Sequence, residues 1–280
     1  MTVPRRRVYG SSLAYDEAVV TEDVDSKFFQ THGWLIVRGV VPLAEIAELE
    51  AAMDVVIPPL AYPAWGAQVI EAAGISQASV AIARHAQNPR IARVAAMLLG
   101  ATRVRLLQDT ALIKPAGSPA TIAWHQDYSY LAYLDQPRVV TSRLAITPCV
   151  VASGCMRVID GSHLWGLRGD DLTFQRTSVE NTLDALPPEL QARARSDEHL
   201  IELAPGDVSF HSCLTFHRSL ENTTAHPRKT LVVRLMDVEC RLVPERLPSP
   251  ELRALFTTDD DGRLTSAAFP TLWDSGGQPS

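Results

Sequence analysis

The sequence predicts a mainly β fold with flanking helices, of the β-sandwich or jelly-roll type. Three observations lead to this class. Apolar residues recur at helical spacing before residue 100, and from residue 103 onwards they alternate with polar residues in steps of two. No glycine-rich dinucleotide-binding motif follows any predicted strand. The 280 residues are 46% apolar, which suffices for one domain with a sizeable core.

The N-terminal part supplies helices and one strand. "SKFFQTHG" predicts a short helix that ends at Gly33, and "WLIVRGVV" predicts the strand after it. "PLAEIAELEAAMDVV" places Pro42 at a helix start and is apolar at helical spacing. Residues 58–78, rich in Pro, Gly and Ala, are expected to be irregular, and "NPRIARVAAMLLG" predicts a helix closed by Gly100. We expect residues 24–100 to support the core.

The C-terminal part supplies the strands. Residues 101–243 are expected to form the jelly-roll core, with strands in "VRLLQDTALIKP", "RVVTSRLAITPCVV", "CMRVIDGSH", "HLIELAPGDVSFHS" and "RKTLVVRLMDVECRL". "LDALPPELQARARS" predicts a helical insertion at 180–196, and the tail, residues 244–280, is expected to be irregular. The prediction is therefore a single domain over residues 1–280.

Composition limits the partners. A net charge of −6 argues against nucleic acid and anionic membranes as partners. No apolar run approaches the ~20 residues of a membrane span, and the N-terminus has no signal-peptide pattern. Four cysteines without a CxxC motif indicate reduced thiols, so we expect a cytoplasmic protein. The sequence does not indicate an oligomeric state.

The short motif "WHQD" gives the first candidate site, with His125 and Asp127 two positions apart. In an extended strand such residues point to the same face, so both side chains can reach one ion. An imidazole and a carboxylate are two of the three ligands in the facial triad of non-haem Fe(II) oxygenases. The third ligand must be a histidine on a neighbouring strand. Taken alone, this pair is more often a hydrogen-bonded pair at a strand end than half of a metal site.

Four blocks in order, "WHQD", "GCMRVIDGSH", "PGDVSFHSCLTFHRSLEN" and "HPRKTLVVR", resemble the phytanoyl-CoA dioxygenase (PhyH-like) family of Fe(II)/2-oxoglutarate-dependent oxygenases. The resemblance extends from roughly Phe28 to Arg241. It implies a double-stranded β-helix core, the cupin-like jelly roll. It also implies Fe(II), 2-oxoglutarate as co-substrate, and O2. By position, it places the iron ligands at His125, Asp127 and His217.

The same resemblance assigns the co-substrate clamp. It places the arginine that binds the C5 carboxylate of 2-oxoglutarate at Arg228, eleven residues after His217, and a supporting hydroxyl at Ser219. A guanidinium fork suits a carboxylate better than a mobile ammonium does. The family often has tryptophan near the position of Arg143, and this departure leaves the contents of the pocket open.

Strand parity adds further candidates. Arg143 shares a face with Thr141 and Ala145, so it faces either the metal cavity or, after a slip of one residue, solvent. Gln108 and Thr110 share a face of their strand and are candidate co-substrate contacts. Four further residues have two possible roles each. Tyr128 and Tyr130 either line the substrate mouth or serve in packing. His211 could replace His217 as the third ligand, and Arg234 is expected to be a structural ion-pair partner rather than a second co-substrate clamp.

These residues together predict a 2-oxoglutarate-dependent non-haem iron dioxygenase that hydroxylates a small metabolite, with release of succinate and CO2. A bacterial secondary metabolite is the favoured substrate class. The same iron centre is also compatible with epimerisation, desaturation or cyclisation. Two alternative hypotheses belong to other functional classes: a non-oxidative metal-dependent isomerase or hydrolase, and a ligand-binding jelly roll. Arg228 argues against both, because neither needs a buried cation placed for a dicarboxylate.

Overall fold

The computed structural model describes residues 24–60, 62–64, 69–168, 183, 186–247 and 256–276. It confirms the predicted class, a mainly antiparallel β structure with flanking helices. The helices are α1 (Ser26–His32), α2 (Leu43–Leu60), α3 (Val80–Ala86), α4 (Pro89–Leu99), α5 (Tyr128–Leu131) and α6 (Pro188–Ser196). The strands are β1 (Trp34–Val37), β2 (Tyr62–Ala64), β3 (Val69–Ala73), β4 (Arg103–Lys114), β5 (Ile122–His125), β6 (Val139–Ala145), β7 (Met156–Ile159), β8 (Glu198–Ile201), β9 (Val208–Ser212), β10 (His217–Ser219), β11 (Arg228–Asp237) and β12 (Thr271–Asp274).

The described strands form two sheets. The large sheet has the order β1-β9-β6-β11-β4-β3-β2, and β12 also pairs with β4. The small sheet has the order β5-β10-β7-β8. Neighbouring strands pair antiparallel in both. Strands that follow one another along the chain therefore often lie in different sheets, as in a jelly roll.

The apolar core lies between the large sheet and the helices. Leu144 of β6 and Val233 of β11 belong to one buried cluster with Ile91 and Leu98 of α4. Each such side chain stabilises the fold by about 1.5–3 kcal/mol through burial. Because alternate residues of a strand point to opposite faces, Arg143 of β6 and Arg234 of β11 point the other way, towards the small sheet. This positions the candidate site.

In the segment 58–78, which was expected to be irregular, the described residues are largely regular. Helix α2 continues to Leu60, and β2 and β3 form a hairpin whose second strand pairs with β4, for example Ile70 with Ile113. Long-range pairing with the edge of β4 outweighs the weak local propensity of these residues. Pro63 is tolerated because β2 is an edge strand. Helix α3, which the sequence did not predict, begins after Ser79, whose hydroxyl accepts a hydrogen bond from the Ile82 amide.

The tail, residues 244–280, is also partly regular, contrary to expectation. A 3-10 turn spans Pro244–Arg246, and β12 adds to β4 through Thr271 and Arg105. As with β3, the pairing partner is distant in sequence. In the predicted insertion at 180–196, α6 confirms the helix, and most residues before Leu186 lie outside the described part. The domain boundaries stay predictions.

Among the described residues, no helix combines the length and the apolar character that crossing a membrane requires. The four cysteines are buried and unpaired.

Candidate metal centre

Two strands and one turn bring the predicted ligands together. His125 ends β5 and pairs directly with His217, the first residue of β10. Asp127 is not on the strand as expected, because its backbone is right-handed helical at φ −57° and ψ −33° and precedes α5. A tight turn, rather than strand parity, therefore directs the carboxylate towards the imidazoles.

The three side chains fit a metal ion. One ligand atom from each of His125, Asp127 and His217 lies within 4.8 Å of the other two. Oδ1 of Asp127 is 3.7 Å from Nε2 of His217 and 4.0 Å from Nε2 of His125. Two imidazole nitrogens and one carboxylate oxygen are the donor set that Fe(II) takes in facial-triad enzymes.

The backbone holds both imidazoles in the form that a metal needs. Nδ1 of His125 lies 2.8 Å from the Ala123 carbonyl oxygen, and Nδ1 of His217 lies 3.0 Å from that of Thr215. A carbonyl only accepts, so Nδ1 carries the proton and Nε2 keeps its lone pair for the ion. Burial lowers the pKa of both histidines, that of His217 well below its usual value. Neutral, ligand-competent imidazoles are the result.

Asp127 is ionised although it is almost fully buried. Burial alone raises the pKa of the carboxyl, but the nearby cation Arg234 and the histidines hold it well below its usual range. Arg234 NH2 is 3.2 Å from Oδ1, and Nε is 3.4 Å from Oδ2. The Thr141 hydroxyl donates to Oδ2 at 2.6 Å. Arg234 also donates to Gln108 at 2.9 Å. Arg234 is thus an ion-pair partner, and the pair includes a candidate metal ligand.

His211, the alternative third ligand, lies beside the triad. It belongs to β9 of the large sheet, whereas His217 belongs to β10 of the small sheet, so the two are not on one continuous strand. Nε2 of His211 is 3.4 Å from Oδ2 of Asp127. Oδ2 is the oxygen bonded by Thr141, whereas Oδ1 is the oxygen nearest the other two imidazoles. The geometry therefore groups His217, rather than His211, with His125 and Oδ1.

A group of buried cations lies near the triad. Arg228 is fully buried, and its NH1 donates to the Gly154 carbonyl oxygen. Gly154 has φ +69°, and a Cβ at this position would collide with the Leu220 carbonyl oxygen. Lys114 is also fully buried and donates to the Ser219 hydroxyl at 3.0 Å. Arg143 is buried, and its NH2 has no hydrogen-bond partner among the described residues.

A cavity of about 1170 Å³ opens onto the triad. Of the predicted site residues outside the triad, Gln108, Tyr130, Arg143 and Ser219 line it. Arg228, Thr110 and Tyr128 are not part of the described wall. The Thr110 hydroxyl is buried without a hydrogen bond among the described residues, and the Tyr128 hydroxyl donates to the Leu134 carbonyl oxygen at 2.8 Å.

Sequence reasoning missed Lys114 and the contact between Thr141 and Asp127. The parity of β4 could have found Lys114, because it continues the inward series of Gln108, Thr110 and Leu112. A lysine at a strand end is normally taken to be exposed. In the structure it pairs in register with Arg228.

The profile of the family "Phytanoyl-CoA dioxygenase (PhyH)" matches residues 29–230, which is most of the chain. The chain belongs to the PhyH family. The protein is therefore a 2-oxoglutarate-dependent non-haem iron oxygenase, as the sequence predicted, and Fe(II), 2-oxoglutarate and O2 are its cofactors and co-substrates.

Individual relatives extend this comparison. The human peroxisomal phytanoyl-CoA dioxygenase is 21% identical over 245 residues, which cover 80% of this PhyH chain and 71% of the human one. The carbocyclase SnoK from nogalamycin biosynthesis superposes with a TM-score of 0.76 at 22% identity, covering 93% of this chain and 99% of SnoK. The epimerase SnoN, solved with Fe3+, α-ketoglutarate and nogalamycin RO, has a TM-score of 0.69 at 24% identity, with coverages of 92% and 100%. At these identities, both superpositions confirm the fold.

Proposed function

We propose that this PhyH-family chain oxidises a small-molecule metabolite, with hydroxylation as the default outcome. Substrate, 2-oxoglutarate and O2 would give the hydroxylated product, succinate and CO2. The observation that carries this proposal is the position of the triad at a cavity, with buried, unneutralised cations beside it. Neither a non-oxidative isomerase or hydrolase nor a ligand-binding jelly roll needs a buried cation placed for a dicarboxylate.

Each residue has a defined task in this proposal. His125, Asp127 and His217 would hold one Fe(II) through Nε2, Oδ1 and Nε2. Bound iron supplies the activation of O2 and the oxidising power. Arg228 and Ser219 would hold the C5 carboxylate of 2-oxoglutarate, and the cavity walls would exclude bulk water and orient the substrate.

The size of the cavity supports a substrate of appreciable size. Pockets for drug-sized ligands measure about 300–1,000 Å³. A cavity of about 1170 Å³ therefore has room for a substrate in addition to 2-oxoglutarate. Tyr130, whose ring centroid is 5.9 Å from that of His125, is placed to contact that substrate. The superposed carbocyclase and epimerase come from nogalamycin biosynthesis, which supports a secondary metabolite as substrate. They also keep cyclisation and epimerisation as the second candidate outcomes.

The thiols support the proposed compartment. All four cysteines are unpaired, and burial raises the pKa of each thiol. Buried, protonated thiols fit a reducing compartment, so we place the enzyme in the cytoplasm.

Succinate release tests the proposed function directly. Purified protein with Fe(II), 2-oxoglutarate, O2 and a panel of candidate metabolites should form succinate in proportion to an oxidised product found by mass shift. Arg228→Ala should raise the KM for 2-oxoglutarate more than tenfold with iron still bound, because losing one partner of a desolvated charge pair costs roughly 2–5 kcal/mol. An unchanged KM would refute the role of Arg228. Absence of succinate, together with turnover that depends on another metal, would favour the non-oxidative class.

A further inference from the structure

The inner face of the large sheet contains buried polar atoms that lack partners. Among the described residues, no hydrogen bond reaches Oγ1 of Thr110, NH2 of Arg143, Oγ of Ser209, or Nε and NH2 of Arg228. Ser209, Arg143, Val232 and Thr110 lie in one row, because each is in register with the next across β9, β6, β11 and β4. The large majority of buried side-chain polar atoms in native proteins are paired, so this concentration is a candidate place for a ligand.

The same face has three buried cations. Lys114 and Arg228 are in register on neighbouring strands. Burial and then the neighbouring Arg143 lower the pKa of Arg228 to about 9. Burial and then Arg228 and Arg143 lower the pKa of Lys114 to about 7, with Glu221 acting in the opposite direction. No carboxylate of the described residues forms an ion pair with any of the three. Clustered cations without an anion are unfavourable, which indicates that the cluster is built for a bound anion.

The three cations differ in their access to the cavity. Arg143 lines it, together with Ser219, whereas Lys114 and Arg228 are fully buried. The Lys114 ammonium has no acceptor function, so in its contact with Ser219 the serine oxygen accepts. The serine proton is then free to point away from Lys114. A carboxylate between Ser219 and Arg143 would receive it.

We propose that Arg143 and Lys114 complete the co-substrate site, with Arg143 contacting the distal carboxylate of 2-oxoglutarate from the cavity side and Lys114 orienting the Ser219 hydroxyl towards it. The proposal rests on the proposed function. It resolves the open role of Arg143 in favour of the co-substrate, and it makes Lys114 a positioning residue. The co-substrate site then has three cations, two of which the sequence motif does not include.

Two measurements on each variant test the proposal: the Kd for 2-oxoglutarate by calorimetry with Mn(II) in place of Fe(II), and the melting temperature without 2-oxoglutarate. Arg143→Met and Lys114→Met should each weaken 2-oxoglutarate binding, Arg143→Met by at least about thirtyfold. Both should melt no lower than the wild type, because each removes an uncompensated buried charge.

Lys229→Met is the matched control. Lys229 is also a buried lysine of β11, but it faces the other side of the sheet and pairs with Asp54 at 2.6 Å and Glu50 at 3.0 Å. Its removal should lower the melting temperature and leave the Kd for 2-oxoglutarate unchanged. The control therefore separates loss of a paired structural cation from loss of a ligand-directed one.

A second ligand and the pH dependence sharpen the test. 2-Oxopentanoate has the chain length of 2-oxoglutarate but lacks its distal carboxylate, so the wild type should discriminate strongly between them. Arg143→Met should reduce this discrimination, while Arg228 and Ser219 retain part of it. The groups that act on Lys114 are Arg228, Arg143 and Glu221. Wild-type affinity for 2-oxoglutarate should fall as pH rises above about 7, where Lys114 loses its proton, and Lys114→Met should lack this fall.

The outcomes distinguish the two proposals. A wild type that binds no 2-oxoglutarate with metal present overturns the proposed function and this inference with it. A wild type that binds, with folded variants that bind equally well, overturns only this inference. So does a Met variant that melts lower than the wild type or fails to fold. Normal 2-oxoglutarate binding by Arg143→Met with poorer coupling to product would assign Arg143 to the substrate instead.

Discussion

Arg234 should stabilise the metal-free protein and become dispensable once a metal binds. Its guanidinium faces both oxygens of Asp127, at 3.2 and 3.4 Å, and the Asp127 side chain is only 2% exposed. At an effective dielectric constant of about 20, such a contact is worth about 4–5 kcal/mol. Removing one partner of a buried ion pair costs about 3–5 kcal/mol, because the other charge is left uncompensated. Thr141 still donates to Asp127 in an Arg234→Met variant, so we expect the lower end, about 3 kcal/mol.

Thermal denaturation after chelation measures this loss. For a protein of this size, about 1 kcal/mol shifts the melting temperature by roughly 2–4 °C, so metal-free Arg234→Met should melt roughly 6–12 °C below the wild type. A divalent ion supplies the missing counter-charge to Oδ1. Added Mn(II) or Fe(II) should therefore raise the melting temperature of the variant by more than it raises that of the wild type.

Arg138→Met is the control for this experiment. Arg138 pairs with the buried carboxylate of Asp237 at 2.6 Å, a residue that belongs to no candidate site. Its loss should lower the melting temperature without changing the response to metal. Our reasoning would be refuted if metal-free Arg234→Met were as stable as the wild type, or if metal stabilised both proteins equally.

Two further predictions concern the metal ligands and the loss of folding stability at acid pH. Replacing His125, Asp127 or His217 by Ala should abolish stoichiometric Fe(II) binding in equilibrium dialysis, whereas His211→Ala should retain it; the reverse result for His217 and His211 would reassign the third ligand. His85 is buried, and burial lowers its pKa to about 4. The unfolded chain then binds more protons between pH 6.5 and 4, so stability should fall as pH falls through this range, and His85→Leu should flatten that part of a urea-denaturation pH profile. An unchanged profile would contradict the assignment of this loss of stability to His85.

The sequence was sufficient for the fold class and the family, and it proposed the triad that the structure brings together. His125 and Asp127 are close in sequence, and the block around His217 is distinctive, so local patterns were informative. The reason given for the convergence of His125 and Asp127 was wrong. A strand explains His125, but Asp127 lies in a helical turn. Both geometries bring a side chain two residues away to the same ion, and the motif alone does not separate them.

What the sequence did not predict depends on pairings between distant strands. Residues 69–73 join two strand-favouring residues to Glu and two Ala, which are depleted in strands, and they become β3 because they pair with β4; β12 also forms by pairing with β4. Lys114 has the appearance of a solvent-exposed strand end. Only its register with Arg228 places it inside. Such placements follow from packing and register, which a single sequence does not specify.

The candidate site consists of two halves, one around the Asp127 carboxylate and one around three buried cations. On one side, Asp127 is neutralised by Arg234, which occupies the oxygen that a metal would take. On the other side, Lys114, Arg143 and Arg228 lack a carboxylate among the described residues. A divalent ion would bind the carboxylate of the first half, and a dicarboxylate that also coordinates the metal would neutralise the cations of the second half. Each ligand adds charge opposite to that of the other, so each should strengthen the binding of the other, and this coupling must be equal in both directions.

If Arg143→Met weakens 2-oxoglutarate binding in the presence of Mn(II), it should reduce by the same factor the gain in Mn(II) affinity that saturating 2-oxoglutarate provides. Calorimetric titrations in both orders measure the two factors, and a persistent inequality would show that the two halves are not coupled through a shared ligand.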